Sequence, residues 1–245
     1  MAEYQTIRSA GRTRSADIDA GLRDHMNKVY GTMSVGMLIT FAVAWAVGTS
    51  PALLSVFRDP NTLQPNILGW VIMFAPLIMV FAFGAMINRL SAAGAQVFFY
   101  AFAALMGLSL SWIFVAFTDF SIAQVFLVTS ISFAGLSLWG YTTKKDISAW
   151  GSFLIMGVIG LIVASIINMF LQSGGVAFAI SVLGVLIFAG LTAYDTQNIK
   201  NTYIAHAAQS DQEWLGKAAI MGALNLYLDF INMFMFLLQL LGNRE

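Results

Sequence analysis

The sequence predicts an all-α polytopic membrane protein, a seven-transmembrane-helix bundle with its N-terminus in the cytoplasm. Three observations predict it. Of 245 residues, 59% are hydrophobic and 10% charged, with a mean hydropathy of +0.78. An ordinary soluble domain is about 45–50% apolar and about 25% charged. The apolar residues gather into seven runs, each near the roughly 20 residues a helix needs to cross hydrocarbon. The basic residues fall almost entirely on one side of those runs. This composition excludes a soluble enzyme, a nucleic-acid-binding protein and a disordered chain.

The predicted spans are Val29–Thr49, Ile67–Ile87, Gln96–Phe117, Ser121–Tyr141, Trp150–Leu171, Val176–Gln197 and Ala218–Leu241. None alternates polar and apolar residues as a membrane β-strand does, so helices must satisfy the backbone in lipid. Glycines inside the spans, such as Gly107, Gly135 and Gly184, permit close helix contact. Residues Met1–Lys28 are polar and mixed in charge, and read as an uncleaved cytoplasmic tail with a short helix near Asp17–Lys28. Residues 29–245 form the transmembrane domain. No second domain and no clear internal repeat is visible.

Orientation follows from Lys and Arg. With the N-terminus inside, the inner side holds Arg8, Arg12, Arg14, Arg23, Lys28, Arg89, Lys144, Lys145, Lys200 and Lys217. The outer side holds Arg58 and Arg244, so the ratio is ten to two. The longest outer loop is Ser50–Asn66, with Pro51, Pro60 and Pro65; the loops Thr118–Phe120 and Gln172–Gly175 are tight.

An ionised side chain in mid-bilayer costs at least about 2.5–3.5 kcal/mol on insertion scales. The informative residues are therefore the acids inside spans: Asp195 near the inner end of span six and Asp229 within span seven. Asp119, Asp146, Asp211 and Glu213 read as solvated loop charges. Spans six and seven form an antiparallel hairpin. The midpoint of 195 and 229 is residue 212, inside the predicted turn Ser210–Gly216. Regular helices would thus bring the two carboxyl groups to one level, in the cytoplasmic half of the membrane. Asn225, Asp229 and Asn232 share a helix face at i, i+4, i+7, and Thr192 shares one with Asp195. Ser181, Gly184 and Phe188 lie above them, and Ser165 and Asn168 on span five are further candidates for a polar interior. Such Asn, Ser and Thr side chains also serve as ordinary interhelical hydrogen bonds. An aspartate is less easily explained so, because an asparagine bonds equally well without the charge.

Two carboxylates away from water cannot both ionise easily, and the pair can hold one proton near neutral pH. That proton would lock spans six and seven together. Its loss would leave two charges that repel, attract a cation, or recruit a basic partner, for which Arg89 at the inner end of span two is the best placed. Paired carboxylates with amide oxygens suit Ca²⁺, making Asp195 and Asp229 a candidate calcium site, though the spacing does not select Ca²⁺ over Mg²⁺ or H⁺.

The run Gly190-Leu-Thr-Ala-Tyr-Asp195-Thr-Gln-Asn-Ile-Lys200, then Leu224-Asn-Leu-Tyr-Leu-Asp229-Phe-Ile-Asn232, with the Gly140-Tyr-Thr-Thr-Lys-Lys-Asp146 turn, resembles the bacterial branch of the Bax inhibitor-1 family. The resemblance covers all seven spans, from about residue 25 to the C-terminus. It implies a bundle with the seventh helix at its centre, in a bacterial inner membrane. It further implies a pH-sensitive calcium leak channel, with Asp195 and Asp229 as sensor and Arg89 as the salt-bridge switch for Asp195. Thr192, Asn225 and Asn232 would then line the polar path. Some members carry a pore-lining glutamate in helix two; span two here has no acidic residue.

Three other classes compete. A membrane-embedded regulator would bind other membrane proteins, such as a quality-control protease complex, through the tail and the Lys200–Lys217 hairpin. A proton-coupled transporter ordinarily shows repeat symmetry, which is missing. An intramembrane aspartyl hydrolase needs two such acids, but no Gly-containing docking motif accompanies them. With no cysteine and both histidines, His25 and His206, outside the bilayer, Cys-His and Ser-His chemistry is set aside. The expectation is a non-enzyme without resident cofactor, Ca²⁺ being its candidate permeant ion. The lipid bilayer is its first partner.

Overall fold

The computed structural model describes residues 2–59, 62, 64–207 and 211–244, with side chains from residue 18 onward. The side chains of Arg8, Arg12 and Arg14, and the positions of Pro60 and Ser210, lie outside the described residues. Among the described residues are nine helices: α1 Ala2–Gly48, α2 Pro51–Phe57, α3 Ile67–Met86, α4 Ala92–Leu110, α5 Ile113–Ala116, α6 Asp119–Thr142, α7 Trp150–Leu171, α8 Gly174–His206 and α9 Gln212–Leu241. Seven segments are long and apolar enough to cross a membrane, with α4 and α5 together making the third. All seven overlap the predicted spans.

Two boundaries differ from expectation. The first helix does not begin as a short piece near Asp17 but runs unbroken from Ala2. Tertiary packing explains its membrane-proximal part. Leu22, Met26 and Val29 are buried, and the His25 ring lies 4.8 Å from that of Tyr203 on α8. The predicted turn at Ser210–Gly216 is also displaced. Asp211 caps α9 by accepting the Trp214 N–H at 2.6 Å, so Glu213 to Gly216 are already helical. An Asp at N-cap satisfies one of the free N–H groups of a helix start. Asn66, Ser91, Thr118 and Ser173 cap α3, α4, α6 and α8 in the same way. Gln172 ends α7 with a φ of 49°, the left-handed conformation that reverses the chain in a two-residue turn.

The bundle is organised around α9, which packs against α1, α4, α6 and α8. Leu226, Tyr227, Met233 and Leu238 on α9 are among its fully buried side chains. By contrast α3 and α7 lie outside, and large residues such as Phe81, Phe153 and Phe170 are exposed where lipid would cover them. At 33 and 30 residues, α8 and α9 exceed what hydrocarbon requires and project beyond it together.

Helices α6 and α8 meet at Gly140. A Cβ there would overlap the Ala193 carbonyl oxygen, a backbone atom that cannot swing aside. Replacing Gly140 by Ala should therefore lower thermal stability in detergent by about 1–3 kcal/mol through overpacking. Gly135→Ala, one turn away with open space around it, should be neutral or stabilising. Unfolding of the two variants, followed by fluorescence or circular dichroism, checks this.

Candidate functional site: the buried carboxyl pair

Asp195 on α8 and Asp229 on α9 face each other within hydrogen-bonding reach. Asp229 is 4% exposed, and its Oδ2 atom has no donor partner among the described residues. Asp195 is half-buried. The charged side chain that acts on Asp229 is Asp195, and among the described residues no basic group is paired with either. Two carboxyl groups can bond only through a proton held by one of them. The placement is the one that a shared proton would require, and it arises because α8 and α9 both stay regular through these residues.

Hydroxyl groups fix the helices around the dyad. Thr196 donates to the Thr192 carbonyl at 2.7 Å, so its oxygen accepts from Ser137 at 2.9 Å. Ser137 in turn accepts from the Tyr30 hydroxyl. This directed chain joins α1, α6 and α8 beside Asp195. On the other flank Thr40 donates to the Ala103 carbonyl at 2.8 Å, which leaves Tyr227 to donate to Thr40 at 2.6 Å. Tyr227 is fully buried, edge-on to Phe99 and Phe102. That cluster joins α1, α4 and α9.

The remaining predicted positions divide. Thr192 is fully buried beside Asp195, but its hydroxyl bonds to the Phe188 carbonyl of its own helix. Asn232 likewise donates to the Leu228 carbonyl, and Asn225 is half-buried. Ser181 does bridge helices, donating to Gln239 at 3.0 Å. Two expectations fail. Asn168 is not in the interior but holds the α7–α8 turn, accepting the Ser173 N–H at 3.1 Å, and Ser165 is exposed on the outer surface of α7. Periodicity places a residue on a face of its helix but does not say whether that face meets protein or lipid. Glu213 is more than a solvated charge: it accepts the Ala92 N–H and ties the start of α9 to that of α4.

Arg89 lies exposed in the turn after α3, and no ion pair joins it to Asp195 among the described residues. Nor does the dyad gather a third acid: among the described residues no group of three His, Cys, Asp or Glu side chains is placed to hold a metal ion. The candidate calcium site thus has two carboxyl groups and nothing further of that kind. Sequence reasoning missed Tyr227, Tyr30 and Ser137; a tyrosine two residues before Asp229 was the available signal.

Seven apolar helices enclosing an acid pair define a polytopic helical membrane protein with an intramembrane carboxyl site. The chain belongs to the Bax inhibitor-1 family, since the family model described as Inhibitor of apoptosis-promoting Bax1 matches residues 22–245. It is 44% identical to the inner membrane protein YbhL of Escherichia coli K12 over 226 residues, covering 92% of this chain and 94% of that protein. A protein of Caulobacter vibrioides is 44% identical over 232 residues, with 93% and 92% covered. A Rickettsia prowazekii protein is 40% identical over 247 residues and covers both chains fully. The chain is an integral membrane protein of the bacterial inner membrane.

Replacing Asp229 by Asn supplies an N–H donor to the Asp195 carboxylate in place of the shared proton. The variant should fold, and its stability relative to the parent chain should grow as pH rises, because only the parent has that proton to lose. Thermal unfolding in detergent at about pH 6 and about pH 8 tests this; a constant difference would contradict proton sharing.

Proposed function

We propose that the protein is a pH-sensitive cation leak channel, with calcium as its candidate permeant ion and the Asp195–Asp229 pair as its sensor. The carrying observation is the buried carboxyl pair, which among the described residues has no basic partner and one Asp229 oxygen without a donor. With a proton between them, the two side chains tie α8 to α9 and keep the bundle centre closed. Without it, two charges about 4 Å apart repel by about 4 kcal/mol at an effective dielectric of about 20. Parting the helices or admitting a cation relieves that repulsion.

In this reading the N-terminus is cytoplasmic, so the dyad senses the proton activity of the cytoplasm. Arg89, exposed at the same end of the bundle, is the candidate partner for Asp195 once the proton has left. Helix α3 has no acidic residue, so the ion path relies on Asp229 and on neutral oxygens near it, including Asn225, Asn232 and the hydroxyls around Thr192. Neither enzymatic chemistry nor a resident cofactor is needed.

Calcium flux into liposomes containing the purified chain, measured between about pH 6 and 8, tests the reading. Asp195→Asn and Asp229→Asn should each flatten the pH response of the flux. If both variants track the parent chain at every pH, the dyad is not the sensor; if the parent chain passes no cation, the channel reading is lost.

A further inference from the structure

The loop between α6 and α7 carries chemistry that the carboxyl pair does not use. An open depression of about 560 Å³ lies there, lined by Lys144, Lys145, Asp146, Gln197, Lys200 and Asn201 among others. Its floor is rigidly built. Gln197 is 5% exposed and spends both ends of its amide on the loop backbone. It accepts the Ile147 N–H at 3.0 Å and donates to the Lys145 carbonyl at 2.8 Å. Ile147 is itself buried. The lysine pair therefore projects from a loop with a fixed path.

Lys200 is held too. Its Nζ donates to the Tyr141 carbonyl at 2.7 Å and stands 5.5 Å from the centre of the Tyr141 ring. An ammonium has three protons, so two remain for a ligand. Lys144 and Lys145 are exposed, and no ion pair joins them to an acid among the described residues. Asp146 shares the rim. Hydrogen bonds from Ser148 hold its carboxyl below the usual carboxylate range, so it remains an anion. Three cations thus face one carboxylate.

Depth selects the ligand class. Trp139, one turn before the loop on α6, and Trp150, the first residue of α7, are both exposed on the outside of the bundle. Tryptophans so placed at span ends mark the level of lipid headgroups. The loop that lines the depression joins the two helix ends that carry them, a level where headgroup phosphates are concentrated and attract nearby lysines.

We infer that this depression binds the headgroup of an anionic phospholipid, its phosphate taken by Lys144, Lys145 and Lys200. Asn201 adds a neutral donor. Asp146 repels a second anionic group and accepts from a hydroxyl, which favours a glycerol headgroup over one bearing a carboxylate. Gln197 and Lys200 follow Asp195 on α8, so the lipid is held by the helix that carries half of the dyad.

The test titrates the full chain, in neutral detergent, with phosphatidylglycerol or phosphatidylcholine, reading bound lipid by native mass spectrometry and stability by thermal unfolding. Phosphatidylglycerol should bind and stabilise where phosphatidylcholine does not. The double variant K144Q/K145Q, whose side chains support no packing, should weaken phosphatidylglycerol binding about tenfold or more. Lys217→Gln, at the same end of the bundle but outside the depression, should change it less than about twofold. Binding that survives K144Q/K145Q, or that K217Q weakens equally, overturns the site. Displacement of the lipid by millimolar inorganic phosphate overturns the lipid as its occupant.

Discussion

A carboxyl group removed from water needs a partner that shares a proton or supplies a charge, and Asp229 has Asp195. The rest of the bundle serves to keep that meeting in register. Helix α9 could carry its acid at a membrane surface, where water would solvate it. It carries it instead within the face that α1, α4, α6 and α8 enclose. An uncompensated charge there would be expensive, so the contact between α8 and α9 is both a packing contact and a condition on protonation.

The hydroxyl clusters on either side have a different character. Tyr30, Ser137 and Thr196 form a chain with one hydrogen-bond direction, ending on a backbone carbonyl. Tyr227, Thr40 and Ala103 form a second. Each is complete within itself, with no donor left over for the acids. In lipid such bonds are worth about 0.6 kcal/mol on average, so they position helices more than they stabilise them. They also tie α1 to both helices that carry the dyad.

The seven spans were legible because hydrocarbon imposes one length on every crossing helix, and the apolar runs record it directly. The dyad was legible because an antiparallel hairpin converts distance from its turn into height, and the true turn lies close enough to the expected one to keep both acids level. Other features were hidden because they depend on neighbours. Gln197 reads as one more polar residue at a span end, yet it pins the following loop. Asn168 and Ser165 have the composition of interior residues, yet α7 is peripheral and turns one to a cap and the other outward. The packing of the membrane-proximal part of α1 is invisible to hydropathy because it comes from contact with Tyr203 on α8, which no local pattern encodes.

The joint projection of α8 and α9 past the bilayer has a mechanical consequence. From Asp195 to His206 the helix advances about 16 Å at 1.5 Å per residue. Were the segment to tilt as a rigid rod about the acids, about 10° would sweep its tip through about 3 Å. At that tip Tyr203 leans on His25 and also fills the space above Gly21. A small angular change near the acids would thus become a displacement of about 3 Å at a surface that water and other molecules can reach.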